Sequence, residues 1–277
     1  MTTRLEDPPV RRLEVPRGSW HARRTTGLAI AIAALVIMHV LAIRATGFQP
    51  RLLIDGWQGM ARFLGEAFPP DLNWQRVLKP SLEATLVTLW IGLLGTTFSI
   101  PPAVLLAVWG SRTTAPNRLV YQTSRSVLSF LRAVPDIVFA LIFVTAVGLG
   151  PFAGVLALIC HNTGVMGKLW AEAVEEIDLG PQEVLRTSGA NRSQVVANAS
   201  LPMVVPQLVG LLLYRFDVNV RSSLVLGLVG AGGIGLLINQ SIKSFQFDAM
   251  LTHIIVVLVL VIVVDQISAL ARRKLSA

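Results

Sequence analysis

Glu183-Val-Leu-Arg186-Thr-Ser-Gly189-Ala-Asn-Arg192-Ser-Gln-Val-Val-Ala-Asn-Ala-Ser-Leu201-Pro202 is a polar island between long apolar runs. Its glycine follows Glu183 by six positions, and Leu201 and Pro202 follow that glycine by twelve and thirteen. Pro181 and Gln182 stand before Glu183 as an early proline and polar residue do at a helix start, and Gly189 supplies the permissive backbone that a helix end and a sharp turn require. Arg186 and Arg192 put positive charge on the connection, which marks the cytoplasmic side of a membrane loop. The stretch therefore predicts a helical elbow on the inner surface. An ordinary surface hairpin between two spans fits the same spacing.

The runs on either side of this island set the class. Of 277 residues, 53% are hydrophobic and only 14% charged, and the mean hydropathy is +0.63, too apolar for a soluble domain of this length. The sequence predicts an all-α integral membrane protein. A net charge of +8 raises nucleic acid as a partner, but the basic residues fall mostly in the N-terminal arm, from Arg112 to Arg132, around Arg186 and in Arg272-Arg273-Lys274. Those are the places where the positive-inside rule puts them, so lipid is the expected neighbour and nucleic acid is not. One cysteine, Cys160, excludes an intrachain disulfide and spells no metal cluster.

Outward from the elbow, six spans are expected. Residues 1–26, with six arginines and three prolines, read as a disordered basic cytoplasmic arm. Residues 27–80 hold a first, uncleaved span, Gly27 to Ile43, and an outer segment from Arg51 to Lys79 whose Trp57, Phe63, Phe68 and Trp74 suggest an interfacial amphipathic stretch or a plain linker. Residues 81–274 form the core. A long span from Ser81 to Trp109 carries Pro101-Pro102; a third, Val127 to Val147, is bent at Pro135; a fourth runs from Val155 to Val174. The elbow, 183–202, leads into a fifth span to Leu228. A glycine-rich turn and a short outer loop with Lys243 and Asp248 then precede a sixth, Leu251 to Leu270. Six spans place both termini in the cytoplasm.

Polar groups inside the spans are the candidates for a pathway, because a charge at membrane depth costs at least about 2.5–3.5 kcal/mol and must face protein or water. The fifth span has the most. Asp217 and Arg221 are spaced i, i+4, acid first, for a pair on one face. Arg215, Asn219 and Ser222 form a second stripe whose guanidinium and hydroxyl suit an oxyanion; the same groups would equally tie a gate or an interface together. Arg132 and Asp136 flank Pro135, either beside a path or with Arg132 reaching lipid phosphates. His161 and Asn162 form a polar pair in the fourth span, where a satisfied core histidine is the commoner case. Gly230, Gly232, Gly233 and Gly235 match G-x-G-x-x-G, but between two spans rather than between strand and helix, so they read as close-packing and gate glycines rather than a dinucleotide site. No catalytic residues and no metal ligands are spelled. With no G-x-x-x-x-G-K-[ST], H-E-x-x-H or G-x-S-x-G, the chain carries no phosphate loop or hydrolase motif.

The elbow resembles the cytoplasmic coupling loop, or EAA loop, of permease subunits in ATP-binding-cassette importers, with Val184 and Leu185 where two alanines are usual and Ala199 for a larger aliphatic. Together with Arg132-Ala-Val-Pro-Asp-Ile-Val-Phe, Gly164-Val-Met-Gly-Lys-Leu-Trp, Tyr214-Arg-Phe-Asp-Val-Asn-Val-Arg and Val225-Leu-Gly-Leu-Val-Gly-Ala-Gly-Gly-Ile-Gly, it is similar to the permeases of phosphonate importers from about Ser81 to Lys274. The resemblance implies a type I importer permease fold and a non-catalytic subunit of the bacterial cytoplasmic membrane that translocates phosphonate, phosphite or phosphate. It implies a second copy of the chain, two ATPase subunits and an extracytoplasmic substrate-binding protein, with ATP and Mg on the ATPase and no cofactor bound by this chain. Glu183, Arg186, Gly189, Leu201 and Pro202 would couple to the ATPase. Two other readings are an ion-driven secondary transporter relaying protons through Asp217, Asp136 and His161, and a membrane scaffold that transports nothing.

Overall fold

A computed structural model describes residues 20–275. They divide into two compact units, with the boundary between Met60 and Ala61. The first contains α1 (Trp20–Thr46) and α2 (Arg51–Asp55), and α3 (Trp57–Ala67) crosses the boundary. Every described side chain of α1 from Gly27 on is exposed, as fits a helix whose apolar surface lipid would cover. Residues 20–26, expected within the arm, are helical in α1, with no proline or glycine among them to interrupt it. Residues 1–19 lie outside the described residues.

The second unit is a helical bundle without strands among the described residues. After a π-helical turn at Trp74–Leu78 come α4 (Lys79–Trp109), α5 (Arg118–Ala133), α6 (Asp136–Val147), α7 (Pro151–Glu175), α8 (Gly180–Thr187), α9 (Arg192–Val195) and a second π turn, Val196–Ser200. Then follow α10 (Leu201–Leu228), α11 (Ile234–Lys243) and α12 (Phe247–Leu275). Five stretches are long and apolar enough to cross a membrane, and a sixth results if α5 and α6 are counted as one broken span. At about 1.5 Å per residue α4 is some 46 Å long, more than the roughly 30 Å hydrocarbon core, so it must tilt or project.

α7 is the hub, packed against α4, α5, α6 and α10. Lipid offers helices no hydrophobic drive to associate, so contact depends on close approach at small residues. A methyl on Gly95 of α4 would lie 2.5 Å from Leu158 of α7, and one on Gly164 of α7 would lie 2.7 Å from the Arg132 backbone of α5. One buried cluster joins Ile91, Ala140, Leu158 and Leu226; another joins Ala103, Met166 and Trp170. The segment before α4 and the first turn of α4 are fastened to α12: the Thr252 hydroxyl donates to the Asp71 carbonyl at 2.8 Å, and Ser81 Oγ meets His253 Nδ1 at 2.6 Å.

Two expectations are corrected. The third span, expected as one bent helix from Val127 to Val147, is two helices meeting at 85°. Pro135 lacks an N–H and drives Val134 to extended backbone, ψ 121°, so the helix stops rather than kinks. α5 is thereby an amphipathic arm, and α6, at roughly 18 Å, is too short to cross alone. Second, the outer loop before the last span is largely α11, a ten-residue helix, because Ile234, Gly235 and Ile238 fall on one face and are buried.

Candidate functional site

The elbow forms as its spacing predicts. α8 carries Pro181 in its first turn and exposes Glu183 and Arg186. Gly189, at φ +84°, ends it; its N–H donates to the Arg186 carbonyl and the Ala190 N–H to the Leu185 carbonyl, each at 3.0 Å, a left-handed helix end. Asn191 and Gln194 then cap α9 reciprocally: Asn191 Oδ1 accepts from the Gln194 N–H and Gln194 Oε1 from the Asn191 N–H, both at 2.9 Å. That Asn-x-x-Gln box is legible in the sequence and escaped the reading above. From Arg192 the chain is helical without a break into α10, through Leu201 and Pro202. No side chain of α8 is buried, and Val184 is 64% exposed. Among the described residues α8 packs only on α9 and the π turn after it, so it stands off the bundle.

Within the bundle, α10 supplies a polar network rather than an open stripe. Arg215 Nε donates to Asn162 Oδ1 at 2.9 Å, Arg215 Nη2 to Asn219 Oδ1 at 3.3 Å, Asn219 Nδ2 to Thr96 Oγ1 at 2.8 Å, and Asn162 Nδ2 to Ser99 Oγ at 2.6 Å. Asn162 and Asn219 are fully enclosed and Arg215 is 8% exposed. Three helices, α4, α7 and α10, are thus joined by amide and hydroxyl oxygens around one guanidinium. Ser222, expected in this stripe, is only half-buried and makes none of these bonds. Asp217 and Arg221 pair as their spacing predicts, the carboxylate buried and the guanidinium half exposed.

Arg132 and Asp136 are not brought together. Arg132 is exposed at the end of α5, whereas Asp136 Oδ1 accepts the Ile137 N–H at 2.9 Å at the start of α6. His161 Nδ1 lies 3.1 Å from the Val134 carbonyl, a group freed by the α5–α6 break. The glycine turn is a tight clasp. Gly230, Gly232 and Gly233 have φ of +95°, +81° and +72°. Gly230 accepts from Gly150 N at 3.0 Å, and the first amide of α11, Ile234 N, donates to Thr88 Oγ1 of α4 at 2.9 Å. A methyl on Gly235 would overlap the Leu224 carbonyl.

The sequence reading missed Thr88, Thr96 and Ser99, because small hydroxyl residues in an apolar helix give no signal without their partners. It also gave Arg125, Glu172 and Glu175 no part in a site. Arg125 Nη2 pairs with Glu175 Oε2 at 2.8 Å and its Nε donates to the Gly110 carbonyl at 2.6 Å, while Arg112 N donates to Glu175 Oε1 at 2.7 Å. Arg112 also donates to the Tyr121 hydroxyl at 3.1 Å, which, with Glu175, holds its guanidinium above its ordinary pKa. Among the described residues no group of histidines, cysteines and carboxylates could hold a metal.

Comparison with known proteins adds to this geometry. The family model for the binding-protein-dependent transport system inner membrane component matches residues 99–277. The chain is similar to the phosphite transport system permease protein PtxC of Stutzerimonas stutzeri, 35% identical over 257 residues, 92% of this chain and 90% of that one. It is also similar to the phosphate-import permease protein PhnE of Mycolicibacterium smegmatis, 37% identical over 237 residues, 85% of this chain and 44% of that one. Among solved structures, an inward-facing MetNI methionine ABC transporter chain superposes with a TM-score of 0.58 at 24% identity, over 72% of this chain and 95% of that chain. An amino acid ABC transporter gives 0.61 at 16%, over 71% and 95%.

Proposed function

Because the chain belongs to the family of binding-protein-dependent transport system inner membrane components, we propose that it carries phosphite, phosphonate or phosphate across the bacterial inner membrane as the permease subunit of an ATP-binding-cassette importer. The elbow carries this reading: a capped helix, α8, with no buried side chain, joined rigidly to α10. A surface so exposed, on a helix that among the described residues touches only its own elbow, suits docking on a separate ATPase. The relatives named for phosphite and phosphate supply the substrate class.

In this reading two copies of the chain pair, two ATPase subunits grip the elbows through Glu183, Arg186 and the Val184 face, and a binding protein delivers the anion outside. Closure of the ATPases on ATP draws the elbows together; Leu201 and Pro202 pass the motion into α10, and the path between subunits opens outward. Hydrolysis returns it. Arg221 and Ser222, partly open on α10, and Arg132, exposed on α5, are the groups that would meet the anion, while Arg215, Asn162 and Asn219 hold α4, α7 and α10 in register. Asp136 and His161 set the α5–α6 corner, and the glycines at 230, 232, 233 and 235 close the outer end. ATP and Mg belong to the partner, and both termini lie inside.

Reconstitution with the cognate ATPase and binding protein tests this. Uptake of radiolabelled phosphate, competed by phosphite and methylphosphonate, is expected to need ATP inside the vesicles and to survive an uncoupler. Uptake abolished by the uncoupler and indifferent to ATP would assign the chain to ion-driven transport instead.

A further inference from the structure

We propose that Arg125 is a positioning residue that makes α5 a lever of the elbow, so that motion of the ATPase reaches the α5–α6 corner and the outer glycine clasp as well as α10. The inference rests on the coupling role of the elbow argued above. α7 ends at Glu175, five residues before α8 begins at Gly180. At that end Arg125 binds Glu175 at 2.8 Å, approaches Glu172 at 3.6 Å and donates to the Gly110 carbonyl at 2.6 Å. Glu175 also accepts from the Arg112 backbone at 2.7 Å. One guanidinium therefore joins the end of α4, the middle of α5 and the end of α7, beside the entrance to the elbow.

Its position explains why a single side chain matters. Arg125 is only about a fifth exposed, so water screens the pair less than on an open surface, and its planar fork serves two acceptors at once, which a lysine cannot. α5 is held along its length, not only here: a methyl on Gly164 would strike Leu131 and Arg132, and one on Gly167 would strike Leu128. Beyond Ala133 the chain turns 85° into α6, whose far end leads to Gly150, bonded to Gly230 of the clasp at 3.0 Å. A rigid arm clamped at the elbow end and turned sharply at the other delivers an inner displacement to the outer end. With the clamp open, the inner end of α5 can lag behind α7 and the elbow, and ATP is consumed without matching transport.

The test uses the complete reconstituted importer. Arg125→Gln and Glu175→Gln are each expected to retain the ATPase on the purified complex and to lower phosphate taken up per ATP hydrolysed about tenfold, and the exchange R125E/E175R to recover at least a third of the ratio. Glu183→Ala in parallel is expected to lose the ATPase. Should Glu183→Ala keep both ATPase and uptake, the elbow reading fails; should it lose them while Arg125→Gln keeps the wild-type ratio, the lever alone fails. A second route removes dependence on charge. In a Cys160→Ser background, R125C/E175C is expected to be uncoupled when reduced and recoupled when a short bifunctional thiol reagent bridges the pair. Equal ratios in open and bridged forms would overturn the proposal, as would an exchange variant no better than the single ones.

Discussion

Asp217 shows what a buried charge demands in this bundle. Its carboxylate is enclosed, Arg221 alone is bonded to one of its oxygens, and the other oxygen has no partner. Arg221→Ala is therefore expected to destabilise the protein, by less than the about 3–5 kcal/mol of a fully buried pair because Arg221 is half exposed, and Asp217→Asn with Arg221→Ala to recover most of the loss. Thermal unfolding of the detergent-solubilised protein checks this; a double variant no better than the single one would contradict it. Asn162 is a sharper case, since it accepts from Arg215 and donates to Ser99. Asn162→Ala leaves the enclosed Arg215 Nε without its acceptor, at roughly 1–3 kcal/mol, while Ser99 Oγ keeps its bond to the Thr96 carbonyl at 2.7 Å, and should lower the midpoint more than Asp217→Asn does. The i, i+4 spacing made the Asp217–Arg221 pair legible in the sequence. The Arg215 network was not, because Thr96 and Ser99 lie more than a hundred residues from it along the chain and look like any small residue of an apolar helix.

Among the elements, the elbow and the glycine clasp were readable because each depends on backbone rules that glycine announces. Gly189 sits at φ +84°, with open space around the place of a methyl, so its constraint is conformational alone and costs an L-residue roughly 1–2 kcal/mol. Uptake is expected to rank Gly189 wild type, then Asn, then Ala, then Val, since asparagine enters the left-handed region most readily; Val equal to Asn would refute the ordering. Gly235 is the opposite kind. A methyl there meets the Leu224 carbonyl, whereas one on Gly210 meets nothing within 4 Å. Gly235→Ala should abolish assembly and Gly210→Ala leave it unaffected, read as recovery of monodisperse complex. The α5–α6 corner was only half legible. Pro135 announced an interruption and the extended Val134 breaks the helix there, but the 85° between the two pieces goes with packing, Gly164 and Gly167 admitting α5 close to α7, which no local rule contains.

At the scale of the molecule, composition and the spacing of apolar runs made the spans legible, because lipid forces every backbone group to be satisfied within its own helix. What joins the spans could not be read, since helix pairing rests on a few small and polar residues. Those few have a mechanical consequence. Thr96, Ser99, Asn162, Arg215 and Asn219 act as dowels through α4, α7 and α10, and a slip of one residue, about 1.5 Å, would shear them all. The three helices are expected to travel as one solid piece, with α5 clamped to them at its inner end by Arg125. Spin labels at Leu93 on α4 and Val225 on α10, both exposed, should report the same spacing with and without nucleotide in complexes bearing one labelled copy. A change there of more than about one helical residue rise would mean that the dowels give way.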